Sequence, residues 1–192
     1  MSQPDAELIA DSLRGQTEAF GALVLRYQNR LFNSLVGMLG SAEDARDVAQ
    51  DAFVQAFQKL HTFRGQSAFY SWLFRIALNT AASHQRKRHR SLVSIDAVRE
   101  QTGQELPDLH PETRPGFGLE ATERQAAVRL ALTEMTEEFR TVLVLKEIDG
   151  LRYEEIAEIV DCPIGTVRSR IHRARIELRH RLTHIMKETP EV

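Results

Sequence analysis

The sequence predicts an all-α fold: two small helical domains joined by a flexible linker, the C-terminal one a helix-turn-helix. Three observations lead there. Apolar residues recur at steps of three and four along most of the chain, and nothing reads as a β-strand of any length. One segment, 93–122, loses that period and holds three prolines, three glycines and six acids against two arginines. Near the C-terminus a short apolar helix, a tight turn and a long basic helix follow in order.

Residues 5–40 read as helices, with Ala19, Leu23 and Tyr27 at steps of four and Phe20, Val24, Leu31 and Leu35 widening the stripe. The stretch "GSAEDARDVAQDAFVQAFQKL" (40–60) is the cleanest helix. Ser41 is its natural N-cap, and Asp44 places an acid near the positive end of the helix dipole. Ala45, Val48, Ala49, Ala52, Phe53, Ala56, Phe57 and Leu60 form one core-facing stripe. Asp44, Asp47, Gln50, Asp51, Gln55 and Gln58 lie opposite, as solvated surface or as a polar docking face.

Gly65 in "HTFRGQ" (61–66) breaks that helix, and Ser67 can cap the next, which spans 68–90. Phe69, Trp72, Leu73 and Ile76 make one apolar face; Phe74, Leu78 and Ala81 make a second. Between them runs a polar stripe of Ser71, Arg75, Asn79, Ala82, Arg86 and Arg90. Two apolar faces imply neighbours on both sides, with the stripe as the accessible strip.

Pro107, Pro111 and Pro115 would interrupt any helix in 93–122, and about thirty residues is too long for a connection inside a compact domain. The expected division is therefore an N-terminal domain 1–92, a linker 93–122, a C-terminal domain 123–187 and a tail 188–192. Helical period returns with Val128, Leu132 and Met135, then Phe139, Val142, Leu143, Leu145 and Ile148 before Gly150. A short helix over 153–160 buries Ile156, Ala157 and Val160; after the turn at Asp161–Cys162, Pro163 suits the first position of a new helix.

Composition bounds the chemistry. The 192 residues are 42% apolar and 27% charged, and no apolar run approaches the roughly eighteen residues that span a bilayer. Asp5, Glu7 and Asp11 precede the first positive charge, Arg14, the reverse of a secretory signal, so the expected location is cytoplasmic. The single cysteine, Cys162, excludes an internal disulfide framework and a multi-cysteine zinc site. His180 and His184 have ligand spacing but no third ligand nearby. No metal, cofactor or catalytic constellation is expected.

The near-neutral total, 27 acids against 25 bases, conceals segregation. Residues 134–158 hold eight acids and three bases, whereas 163–187 hold seven bases and one acid, Glu177. A second basic knot, "RKRHR", lies at 86–90. Two separated positive surfaces suggest a polyanion touched at two places. On the last helix Ile164, Val167, Ile171, Ala174, Leu178 and Leu182 make one stripe, and Thr166, Ser169, His172, Arg173 and Ile176 face away from it, with Arg168 on the flank. A merely soluble face would mix signs at i,i+4 spacing. An arginine fork instead suits guanine edges and phosphates. A helix in the major groove reads bases from its N-terminal turns, so Thr166, Arg168, Ser169, His172 and Arg173 are the candidate readers, with Arg170, Arg175 and Arg179 adding affinity.

Together, "FRGQSAFYSWLFRIALNTA" and, at a distance, "LRYEEIAEIVDCPIGTVRSRIHRAR" are specific. The chain resembles the extracytoplasmic-function class of bacterial RNA polymerase sigma factors, close to the sigma-E type, over nearly everything but 93–122. The resemblance implies a protein without catalytic chemistry that binds core polymerase, recognises −35 and −10 promoter elements and initiates transcription. It assigns Asp44, Asp47, Gln50, Asp51 and Gln55 to polymerase docking, and Phe63, Arg64, Ser71, Arg75, Asn79 and Arg86 to the −10 element. It assigns Thr166, Arg168, Ser169, His172, Arg173 and Arg175 to the −35 element. It also implies an anti-sigma factor among the partners and a linker threading the polymerase cleft. The alternatives are a stand-alone helix-turn-helix regulator, which leaves the Trp72 helix, second basic knot and acidic linker without a purpose, and a nucleic-acid enzyme, which would need a convergent acid, base or metal site.

Overall fold

A computed structural model gives the fold of residues 3–102 and 119–188, with side chains described over 3–86 and 125–185. All regular structure among these residues is helical: α1 (Asp5–Leu13), α2 (Thr17–Leu39), α3 (Ala42–Lys59), a 3₁₀ turn (Leu60–Thr62), α4 (Phe69–Thr102), α5 (Leu119–Thr133), α6 (Glu137–Glu147), α7 (Tyr153–Val160) and α8 (Ile164–Glu188).

The N-terminal helices pack through the predicted stripes. Leu23, Leu31 and Leu35 of α2 are sealed against Ala45, Val48, Ala52 and Ala56 of α3 and against Leu73 and Phe74 of α4. Each large side chain so buried contributes about 1.5–3 kcal/mol relative to exposure. The Ser41 hydroxyl accepts the Asp44 backbone N–H at 3.1 Å, which is the expected cap. The α1 helix is pinned to α2 by Asp5, whose carboxylate takes the Arg26 guanidinium and the Tyr27 hydroxyl. Burial and then that carboxylate push the Tyr27 phenol up to about 12.

The structure departs from the sequence reading in a few places. Phe57 belongs to the α3 stripe by period, yet it is 45% exposed and leans on Phe20 with ring centroids 5.0 Å apart. Val128 of α5 and Ile164 of α8 are likewise exposed. Helix α4 continues ten or so residues beyond the expected end, since 91–102 contains neither glycine nor proline and Gly103 is the first breaker. The three linker prolines fall in 103–118, outside the described residues, as do the side chains of 87–90 in the basic knot. Pro163 stands one place before the first helical residue, and its carbonyl accepts the N–H groups of Thr166 and Val167 at 2.8 and 3.1 Å.

The N-terminal and C-terminal helices also meet each other. Val142, Val144 and Leu145 of α6, Ile156 and Ile159 of α7, and Val167 and Ile171 of α8 join the same buried cluster as α2–α4. Close approach depends on two glycines of α2 and its end. A Cβ on Gly37 would stand 2.9 Å from Ile148 Cδ1, and one on Gly40 would stand 2.3 Å from Thr133 Cγ2. A second, smaller cluster of Leu132, Met135, Leu143 and Ala174 fixes α8 across α5 and α6.

Candidate nucleic-acid interface

The helix-turn-helix is built locally. The Glu155 carboxylate reaches back to the Arg152 backbone N–H at 2.8 Å and caps the start of α7; that bond, together with the guanidinium beside it, lowers the carboxyl pKa. At the other end Asp161 takes the left-handed conformation, φ 49°, and the Cys162 N–H returns to the Ala157 carbonyl at 3.2 Å. The chain then turns directly into α8. Val167, Ile171 and Ala174 are buried, which rotates Arg168, Ser169, His172 and Arg173 outward into solvent. Thr166 is half-buried, and its carbonyl accepts the Ser169 hydroxyl at 2.9 Å.

The arginines of α8 divide into two sets. Arg170 pairs with Glu138 at 2.9 Å, Arg175 with Glu147 at 2.7 Å, and Arg181 with Glu134 and Glu177 at 2.9 and 2.8 Å. These acids belong to the turn after α5, to α6 and to α8 itself, so the negative segment before the helix-turn-helix partly neutralises the positive one. The Glu147 hydrogen bond raises the Arg175 pKa further and holds its fork sideways against α6. Arg168, Arg173 and His172 carry no ion pair among the described residues. The Arg168 guanidinium lies 5.6 Å from the Tyr153 ring centroid, within cation–π range, which orients it beside the first turns of α8.

On α4, Arg75, Asn79 and Arg86 are exposed, one or two helical turns apart, and Arg86 donates to the Ser83 hydroxyl at 3.1 Å. Ser71 departs from the expected stripe: it is 1% exposed, and its hydroxyl has no hydrogen-bond partner among the described residues. Its side chain faces the interior of the helical packing rather than the exposed strip. Arg64 is exposed in the loop, next to Gly65 with its positive φ of 69°. Phe63 is half-buried, its ring 5.3 Å from Trp72 and 5.9 Å edge-on to Phe69. These three rings make an aromatic shelf below the loop, and Trp72 is a member that the periodic reading assigned to the core alone.

The polar side of α3 exposes Asp47, Gln50 and Asp51, while Asp44 and Gln55 are half-buried. Gln55 is engaged with α4 through the Thr80 hydroxyl at 2.9 Å, and Asp51 meets His84 at 2.9 Å. Next to this face, α2 and α3 leave a groove of about 390 Å³ lined by Val24, Phe32, Phe53 and Val54, with Gln50 on its edge. Val54 is 51% exposed, an apolar contribution that the polar reading of this face missed. The signal was an unexplained valine between Phe53 and Gln55.

Known proteins match this arrangement. A family model for sigma-70 region 2 covers residues 23–91, and one for sigma-70 region 4 covers 125–178. The chain is 39% identical over 191 residues to the RNA polymerase sigma-H factor of Pseudomonas aeruginosa, covering 97% of both. It is 40% identical over 173 residues to the ECF RNA polymerase sigma-E factor of Escherichia coli, covering 89% of this chain and 90% of that one. Among solved structures, the sigma factor RpoE of Bartonella quintana, crystallised with the anti-sigma factor NepR, superposes with a TM-score of 0.64 at 28% identity over 85% of this chain and 96% of that one.

Proposed function

Since this chain belongs to the extracytoplasmic-function class of bacterial RNA polymerase sigma factors, we propose that its three polar surfaces divide the work of promoter recognition. The N-terminal turns of α8 enter the major groove of the −35 element, with Arg168, Ser169, His172 and Arg173 at the base edges and Thr166 at their border. The exposed stripe of α4, Arg75, Asn79 and Arg86, takes the −10 element with Arg64 and the Phe63 shelf. Asp47, Gln50 and Asp51 of α3, flanked by Asp44 and Gln55, dock on core polymerase.

One observation carries this reading: arginines aimed at neighbouring helices are paired with glutamates, whereas Arg168 and Arg173 on the outward face of α8 carry no such pair among the described residues. Unpaired, exposed cations at the N-terminal end of the second helix are what groove binding requires, and phosphate contacts make such binding steeply salt-dependent. Capture of a −10 base has a cost as well, a few kcal/mol for unstacking. The amide of Asn79 supplies both a donor and an acceptor for it, and the shelf supplies a stacking surface.

The chain carries no catalysis of its own; bond formation belongs to the polymerase it rides on. It works in the cytoplasm, and no helix among the described residues is long and apolar enough to cross a membrane. By analogy with the Bartonella protein, it is held by an anti-sigma factor. Run-off transcription with purified core enzyme tests the reading: specific initiation should need both proteins and a duplex carrying both elements. Tight, specific duplex binding by the chain alone would point instead to a stand-alone regulator.

A further inference from the structure

Asp149 has no part in the three surfaces, yet its carboxylate is completely buried, 0% exposed. It follows α6, and every side-chain donor it meets among the described residues comes from the other side of the linker. Arg30 Nε lies 3.1 Å from Oδ1, the Tyr70 hydroxyl donates to the same oxygen at 2.7 Å, and the Ser34 hydroxyl donates to Oδ2 at 2.7 Å. Arg30 also reaches the Asp149 main-chain carbonyl at 2.9 Å, with its guanidinium 3.9 Å over the Tyr70 ring. Burial and the adjacent carboxylate raise the Tyr70 pKa, so the hydroxyl stays a donor.

A buried carboxylate with a full set of partners specifies one arrangement more than it stabilises it, because each group regains water when the parts separate. The surrounding fit is equally particular, since α2 approaches Val144 and Ile148 across the bare Gly37. What the arrangement covers is functional. Arg75 donates to the Glu158 main-chain carbonyl of α7. Arg75 and Asn79 form one wall of a cleft of about 550 Å³ whose other wall holds Glu137, Asp161 and the Glu138–Arg170 ion pair. A strand approaching Asn79 would meet the carboxylates of Glu137 and Asp161, which carry no ion pair among the described residues, and find Arg75 already engaged.

We propose that the Asp149 cluster is an interdomain latch that keeps the free chain closed, so that the Arg75–Asn79 stripe, though open to solvent, is shielded electrostatically from single-stranded DNA by the acids beside it. The latch rests on the −10 assignment above for its consequence, though not for its geometry. Separation of the two helical regions hydrates Asp149, frees Arg75 and removes the acidic wall in one step.

The test uses the full chain with spin labels at Glu18→Cys and His180→Cys in a Cys162→Ser background, none of them a residue of the latch. Wild type should give one narrow distance distribution. Asp149→Ala should broaden and lengthen it with helical content retained. Gly37→Leu should do the same from the opposite side, by pushing on Ile148 and Val144 without touching the carboxylate. Both variants should also bind a −10 single-stranded oligonucleotide about tenfold more tightly than wild type, as expected when a closed state populated roughly 9:1 is removed. A broad wild-type distribution, or variants that keep the narrow one, overturns the latch. Opening without tighter strand binding overturns the shielding. Wild-type holoenzyme on the same oligonucleotide separates the two readings: binding there with no gain in the free variants condemns the latch, whereas no binding even there condemns the −10 assignment.

Discussion

Arg30 and Tyr70 stack with the guanidinium 3.9 Å above the ring, and both bond to one carboxylate oxygen of Asp149, a residue 119 positions further along the chain than Arg30. The three groups are therefore a single unit. Loss of the Tyr70 hydroxyl in Tyr70→Phe leaves the ring and the stack in place and removes one hydrogen bond to a charged group, worth about 1.5–3 kcal/mol. Urea unfolding at neutral pH measures it, and no change in midpoint would mean the bond contributes nothing.

The same tyrosine makes stability depend on alkaline pH. Its folded pKa is raised by burial, while the unfolded side chain ionises near its ordinary value of about 10. A raised folded pKa means the contribution is complete below about pH 10 and is lost as pH rises above it, because only the unfolded state gains by releasing the proton. One such group gives a slope of roughly 1.4 kcal/mol per pH unit in that window. Tyr27, also raised, contributes in the same direction. Unfolding curves at pH 9, 10 and 11 should fall less steeply with pH for Tyr70→Phe than for wild type; parallel declines would assign the effect elsewhere.

Arg168 and Arg175 should behave differently although both were expected at the −35 element. Arg168→Ala removes an exposed guanidinium without a carboxylate partner and should lower output from a −35-dependent promoter by the about 1–3 kcal/mol of one base contact. Arg175 is already held by Glu147, so Arg175→Ala should weaken binding less and equally across promoter sequences. Abortive transcription on a panel of −35 variants distinguishes them, and equal, sequence-independent losses would dismiss Arg168 as a reader.

Asn79→Ala should impair strand opening and spare association with core enzyme, because the amide is exposed on α4 and away from the polar face of α3. Permanganate reactivity of the −10 thymines reports the first property and co-migration with core enzyme the second. Parallel loss of both would make Asn79 a structural residue.

Gly40 ends α2 in the left-handed conformation at φ 73°, with Thr133 Cγ2 in the space a side chain would need. Gly40→Ala should lower stability by about 1–2 kcal/mol from the backbone alone, and more from the clash. Adding Thr133→Ser removes the methyl group and should recover the steric part only. Thermal unfolding of the single and double variants measures both parts; full recovery would mean the backbone was never strained.

Features encoded within a few residues were legible beforehand. The cap at Ser41, the alanine-rich stripe of α3 and the turn at Asp161–Cys162 each depend on near neighbours, and each stands where the pattern placed it; α3 ends at Lys59, ahead of the expected breaker Gly65, which lies in the following loop. Features that depend on which helix covers which flank were not. Ser71 sits in a polar stripe by period and in the interior by packing, and Phe57 shows the opposite exchange. Charge segregation was legible between 134–158 and 163–187, but not that Glu138, Glu147 and Glu134 would each take one arginine. Arg30, Ser34, Tyr70 and Asp149 gave no signal at all: in sequence they are a helical arginine, serine and tyrosine, and an Asp-Gly turn.

By itself, the sequence determined the helices, their order, the helix-turn-helix and the outward arginine face, because hydrogen-bond period and capping act over three or four residues. Only the tertiary structure decided that the two helical regions share one core, which arginines are already paired, and that a lone carboxylate joins the regions. Those outcomes arise from burial and electrostatics summed over residues more than a hundred positions apart, and no local pattern carries that sum.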